Sequence, residues 1–174
     1  MRSHRLYAFV NHIYMSPLQW GIQTGHAAVR MMAHAWEGPA CAAAPLLEWS
    51  KAGPTKLALQ GGNVGSLLAL EARLGSLCAH LGLPFASFRE DERSLGGVIT
   101  CVSMLLPEEL FALEMVRDEA GGATFRSPSD GAVGDAGGAV DFSAIPGGLP
   151  VTADGNPELH ELLTLAKTAR LAGT

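Results

Sequence analysis

Cysteine is scarce in this 174-residue chain: Cys41, Cys78 and Cys101 are an odd number, and none stands in a C-x-x-C pair. That excludes a disulfide framework and a thiolate zinc site, and a reducing cytoplasm is the expected setting. Charge is sparse as well, with 17% Asp, Glu, Lys and Arg against 48% hydrophobic residues. Global disorder is thereby excluded, and a sizeable core can form. No apolar run suits a membrane span or a signal peptide, since the first one, Leu6 to Val10, is broken at Asn11 and His12. The chain reads as soluble, with no membrane partner. It also lacks internal repeats, a sustained heptad array, a Walker-type phosphate loop and any H-E-x-x-H pair. No metal and no cofactor are expected.

A basic excess is missing too. The net charge of −5 argues weakly against a nucleic-acid partner, because phosphate contacts normally come from a basic surface. The average conceals an asymmetry, however. Residues 1–56 hold Arg2, Arg5, Arg30, Lys51 and Lys56 against Glu37 and Glu48, a net of +3. Residues 57–116 and 117–174 each come to −4.

The length suits one domain of ordinary size with a tail. Leu6 to Val10 is uniformly apolar, the pattern of a strand covered on both faces. Ser16-Pro17-Leu18-Gln19 then offers an N-cap serine, a proline at the first helical position and a glutamine to close a capping box, predicting a helix over about 17–35. A shorter apolar helix follows, to about Ser50. Thr55 to Leu59 reads as a second strand. Asn63 caps a helix whose Leu67, Leu70, Leu74, Leu77 and Leu81 form a core-facing stripe ending at Gly82. Pro84 to Phe88 and Val98 to Leu105 read as strands flanking a polar loop, and Pro107-Glu108-Glu109 opens a further helix.

This alternation predicts an α/β protein, with strands and helices layered around a mainly parallel sheet. Three regions are expected: an α/β domain over 1–117, a flexible glycine-rich segment over 118–156, and a C-terminal helix over 157–174 that docks back on the core.

Two segments attract attention for chemistry. Gln19, Gln23 and His26 stand at i, i+4 and i+7, so they share one face of the first helix, whose N-terminus lies at the carboxyl edge of the sheet where α/β folds bind ligands. The plainer reading makes Gln19 a cap, Gln23 a solvated residue and His26 a hydrogen-bonded core histidine. The second segment is the loop Arg89 to Gly97, with Glu90, Asp91 and Glu92, ahead of Thr100 in the following strand. A carboxylate there could act as general base or orient a histidine, and the threonine hydroxyl could position water or a carbonyl. A solvated turn is again the plainer alternative. The cysteines read as small core residues, and Trp20, Trp36 and Trp49 as packing anchors.

Gln23-Thr24-Gly25-His26-Ala27-Ala28, the following strand and leucine-rich helix, and Phe88-Arg89-Glu90 with Leu95-Gly96-Gly97-Val98-Ile99-Thr100 resemble, in this order, the type II peptidyl-tRNA hydrolases. The resemblance covers roughly residues 5–106. It implies a three-layer α/β/α sandwich with a four-stranded mixed sheet and metal-free hydrolysis of the ester joining a peptide to tRNA. It also implies that His26, Gln23, Thr100 and either Glu90 or Glu92 are catalytic. Gln19, Asp91, Arg30, Lys51 and Lys56 become the expected substrate contacts, with peptidyl-tRNA as partner. The family carries a lysine near the helix start where this chain has Gln19, and usually Asp where it has Glu. The lost cation motivates a rival expectation, a non-catalytic binding or regulatory module on the same fold. A homodimer is compatible with such a short sheet by analogy.

Overall fold

The first strand, β1 (His4–Asn11), is buried along nearly its whole length, as its unbroken apolar run requires. The computed structural model describes residues 3–38, 40–117, 123–126 and 156–169. After β1 come α1 (Pro17–Glu37), α2 (Ala40–Lys51), β2 (Thr55–Gly62), α3 (Val64–Leu81), β3 (Phe85–Arg89), α4 (Glu92–Leu95) and β4 (Ile99–Pro107). The described chain ends with α5 (Glu108–Phe111), β5 (Glu114–Arg117), β6 (Ala123–Arg126) and α6 (Pro157–Thr168).

The predicted helix signals hold in detail. Ser16 and Gln19 form the reciprocal capping box of α1. Asn63 accepts the Ser66 backbone N–H at the start of α3, and Gly82 closes that helix at φ 64°, a left-handed conformation that favours glycine.

Strand order in the main sheet is β2-β1-β4-β3. β1 and β2 are parallel, while β4 runs antiparallel to both β1 and β3. Three strands therefore share one direction, but β4 lies between β1 and β3, so two of the three ladders are antiparallel. The expectation of a mainly parallel sheet holds for strand direction and fails for pairing. The short β3-to-β4 connection explains this, because a parallel return would need a crossover of a dozen or more residues.

Helices cover both faces. Tyr7 and Phe9 of β1 meet Leu67, Leu74 and Leu77 of α3 and Leu159, Leu162 and Leu163 of α6. On the opposite face Leu6 and Leu105 pack with Ala28, Met31 and Ala35 of α1 and Leu46 and Trp49 of α2. The architecture is an α/β sandwich, and α6 docks on the core as expected.

Three elements depart from the sequence reading. The loop after β3 contains the one-turn helix α4. The helix opened by Pro107 is only four residues long. Within the segment expected to be flexible, β6 pairs antiparallel with β5 and Phe125 is buried in the core. Residues 118–122, 127–155 and 170–174 lie outside the described residues.

Candidate functional site

β1, β2 and β3 all end at one edge of the sheet, where β4 begins, and an irregularity there decides what faces α1. Phe88 pairs with Cys101 and Arg89 with Ile99, leaving Thr100 as the extra residue of a bulge. Strict alternation would send Thr100 to the α3 side with Val102. Instead Ile99 joins the α3-side core, and Cys101 packs with Ala27 of α1. The Thr100 hydroxyl donates to Gln23 Oε1 at 2.9 Å. Re-aiming a side chain is a recurrent effect of bulges beside functional sites.

Gln23 is buried in the second turn of α1. Its Nε2 donates to Glu90 Oε1 at 2.8 Å, so the amide is clamped between a hydroxyl on one side and a carboxylate on the other. The same Glu90 oxygen accepts the Tyr14 hydroxyl at 2.7 Å. Tyr14 is itself held through its backbone. Trp20 Nε1 donates to the Tyr14 carbonyl at 2.6 Å, and the Tyr14 N–H donates to the Asn11 carbonyl at 3.2 Å. Asn11, fully buried, also donates from its side chain to the Ile99 carbonyl at 3.0 Å, tying this loop to the bulged end of β4. Tyr14, Gln23, Glu90 and Thr100 thus form one hydrogen-bonded array linking four separate segments.

Burial, then the hydrogen bond to Glu90 and its negative charge, push the Tyr14 phenol up to about 12. It is a neutral donor throughout the physiological range. No lysine or arginine among the described residues forms an ion pair with Glu90. Neighbouring Arg89 turns instead to Glu71 of α3. Two neutral donors on Oε1 hold the carboxylate, and no protein donor among the described residues takes Oε2.

His26 lies one turn beyond Gln23. It is exposed, and its ring sits over Phe88 with centroids 4.6 Å apart at 46°. The plainer expectation of a core histidine is therefore incorrect. Phe88 stands two residues before Glu90 in the chain, and His26 makes no hydrogen bond to the array among the described residues.

The three loop acids separate cleanly. Glu90 enters the array. Asp91 caps α4 by accepting the Arg93 N–H at 3.1 Å. Glu92 is exposed on α4 beside Gly97. Gln19 likewise stands outside, its amide oxygen accepting from the Ser16 hydroxyl at 3.1 Å. Nor do the α1 N-terminal amides converge on the array. Gln19 N–H is taken by Ser16 Oγ and Trp20 N–H by the Ser16 carbonyl, and Gln23 is about 6 Å further along the axis than Gln19. Arg30, Lys51 and Lys56 are exposed on α1, α2 and β2 and make no ion pair among the described residues.

Cys78 and Cys101 are buried, and burial raises both thiols to about 12. Neither is a nucleophile at neutral pH. The side chain of Cys41 lies outside the described residues. Among the described residues no three His, Cys, Asp or Glu side chains cluster as a metal ion would require, and no helix is long and apolar enough to cross a membrane.

Sequence reasoning missed Tyr14 and Asn11. Asn11 did announce itself as a polar residue interrupting an apolar strand, the kind of break that a hydrogen-bonding role explains. Nothing local marks Tyr14, whose partner is 76 residues away.

No protein-family model matches the chain, and no curated protein matches it.

Proposed function

We propose that the chain hydrolyses the ester of peptidyl-tRNA without a metal, with Glu90 as the acid that activates water. The observation that carries this reading is the shared hydrogen bonding of Glu90 Oε1 by Tyr14 and Gln23, which orients one carboxylate oxygen and leaves the other for a water. Glu90 takes the proton of the attacking water as its oxygen bonds to the ester carbonyl carbon. The second N–H of Gln23 faces the developing oxyanion, and His26 contacts the terminal nucleotide. The bond to the ribose oxygen then breaks, and Glu90 returns its proton to that leaving hydroxyl. Thr100 and Tyr14 act as positioning residues, the first on the Gln23 amide and the second on Glu90. Arg30, Lys51 and Lys56 supply salt-sensitive phosphate contacts.

The test is release of tRNA from an N-blocked aminoacyl-tRNA, in the presence of chelator, by the wild type, Glu90→Gln and His26→Ala. Turnover that falls at least about 100-fold in Glu90→Gln supports the assignment. Turnover indifferent to both substitutions removes it. One observation favours a second reading: Gln19 is engaged in helix capping, so the array carries no cation to steady a phosphate. A binding module on this fold would bind tRNA in a salt-dependent manner and release nothing.

A further inference from the structure

We propose that Arg5 and Lys167 form a binding site for a tetrahedral dianion, a phosphate or phosphate monoester, on the α6 side of the sheet. Arg5 is the second residue of β1 and pairs with Leu106 of β4. Partners across an antiparallel ladder share a face, so Arg5 stands beside the core that Leu106 and Tyr7 build with α3 and α6. It lies about 20 Å down β1 from Asn11, at the opposite end of the strand from the Glu90 array.

Phe111 brings the two cations together. The Arg5 guanidinium carbon lies 4.1 Å from the centroid of the Phe111 ring, and Lys167 Nζ donates to the Phe111 carbonyl at 2.5 Å. Each contact taken alone has a structural use. The ring holds a guanidinium, and the ammonium serves the last carbonyl of α5, which lies beyond the reach of intrahelical donors. Neither use explains why two positive charges share one place.

Both side chains are half-buried, and neither forms an ion pair among the described residues, where Arg73 joins Glu161 and Arg89 joins Glu71. Glu114 acts on Lys167 from the exposed start of β5 but stays beyond ion-pair range. Burial, then the charge of Arg5, hold the Lys167 ammonium below its usual range, against the opposing pull of Glu114. The two cations therefore repel each other within the fold. An anion bound between them removes that repulsion.

The donors left over fit a dianion better than a lone carboxylate. The buried Tyr7 hydroxyl accepts from Arg5, and stacking on Phe111 leaves the other in-plane N–H groups of the guanidinium for a ligand. Lys167 spends one of its three N–H groups on Phe111. A planar carboxylate is satisfied by an arginine fork alone, whereas a tetrahedral phosphate has oxygens for a fork on one side and a point charge on another. A phosphate monoester also carries about −1.5 to −2 at neutral pH, which matches two cations. Because β1 supplies one cation and α6 the other, an occupied site fastens α6 to the sheet and adds to stability.

The experiment is phosphorus-31 relaxation of inorganic phosphate in the presence of the full chain, from about 0.1 to about 30 mM phosphate at an ionic strength fixed with sodium chloride, a range spanning millimolar dissociation constants. It compares wild type, Arg5→Gln and Lys167→Gln, with circular dichroism as the check on folding. Lys167→Gln keeps an N–H for the Phe111 carbonyl while removing the charge, so it decides alone if Arg5→Gln does not fold. The expected result is saturable line broadening by wild type, with a dissociation constant at least about tenfold higher in each folded variant. Broadening that is absent or does not saturate overturns the proposal, as does binding that the folded variants retain. Glycerol phosphate separates the two sources of the ligand. Saturation comparable to inorganic phosphate assigns the site to a phosphate ester, and saturation by inorganic phosphate alone assigns it to the free ion. The link to α6 is tested by thermal unfolding. Phosphate should raise the midpoint more in wild type than in Lys167→Gln, because its general exclusion from protein surfaces stabilises both alike. An equal rise in the two proteins overturns that link. Neither readout depends on Glu90 or on hydrolysis.

Discussion

Replacing Tyr14 by phenylalanine removes a single oxygen, and its consequences can be worked from the array. The hydroxyl donates to Glu90 Oε1 at 2.7 Å, and among the described residues no other donor but Gln23 serves that oxygen. A hydrogen bond to a charged acceptor contributes about 1.5–3 kcal/mol. Glu90 and Tyr14 are only half-buried, so solvent screening brings the expected loss to about 1–1.5 kcal/mol. For a chain of this size that lowers the thermal midpoint by roughly 2–6 °C. The alkaline behaviour gives an independent check. Burial first, then Glu90, raises the folded-state phenol from 10.0 to about 12. The neutral phenol is therefore favoured by folding: the stabilisation is complete below pH 10 and is lost as pH rises toward about 12. Urea unfolding of wild type and Tyr14→Phe at stepped pH isolates this contribution, because Cys78 and Cys101 titrate alike in both proteins. The stability gap should narrow between pH 10 and about 12. A variant as stable as the wild type at neutral pH, with the same alkaline slope, would refute the array.

Gln23→Leu strands both the Thr100 hydroxyl and Glu90 and should cost about 2–3 kcal/mol in chemical denaturation, whereas Glu92→Gln, on the exposed face of α4, should stay within about 0.5 kcal/mol. Gly61→Ala would set a Cβ 2.5 Å from a Leu67 methyl and 2.9 Å from the Val10 carbonyl. The backbone there cannot yield cheaply, so a loss of about 2–4 kcal/mol is expected, read as a lower urea midpoint and faster amide exchange at the ends of β1 and β2. Cys78 and Cys101, both raised to about 12 by burial, should remain unlabelled by a thiol reagent at pH 8 until the protein unfolds, as followed by mass spectrometry of the modified peptides.

Much of the architecture was legible because its signals are local. A capping box, a left-handed glycine, an i, i+3, i+4 leucine stripe and an unbroken apolar strand each depend on residues a few positions apart. The site was legible only in part. Gln23, His26, Thr100 and the loop acids stood out as candidates, but choosing Glu90 over Asp91 and Glu92 required knowing where α4 begins. A cap residue and an array residue look alike in a run of three acids.

The sequence by itself determined the layered α/β class, the start and end of the long helices and the residue types available at the sheet edge, since each follows from short-range sterics and periodicity. Tertiary structure alone decided three things. The bulge at Thr100 turned that hydroxyl toward α1, because pairing with β3 absorbed one residue too many. Tyr14 and Glu90 met across 76 residues of chain, because the ends of β1 and β3 lie at the same sheet edge. The side of α1 that the sheet covers was chosen by packing, which buried Gln23 and Thr24 and left Leu18, Val29 and Trp36 in water. Both sides of that helix carry apolar residues at helical spacing, and only the position of the neighbouring sheet distinguishes them.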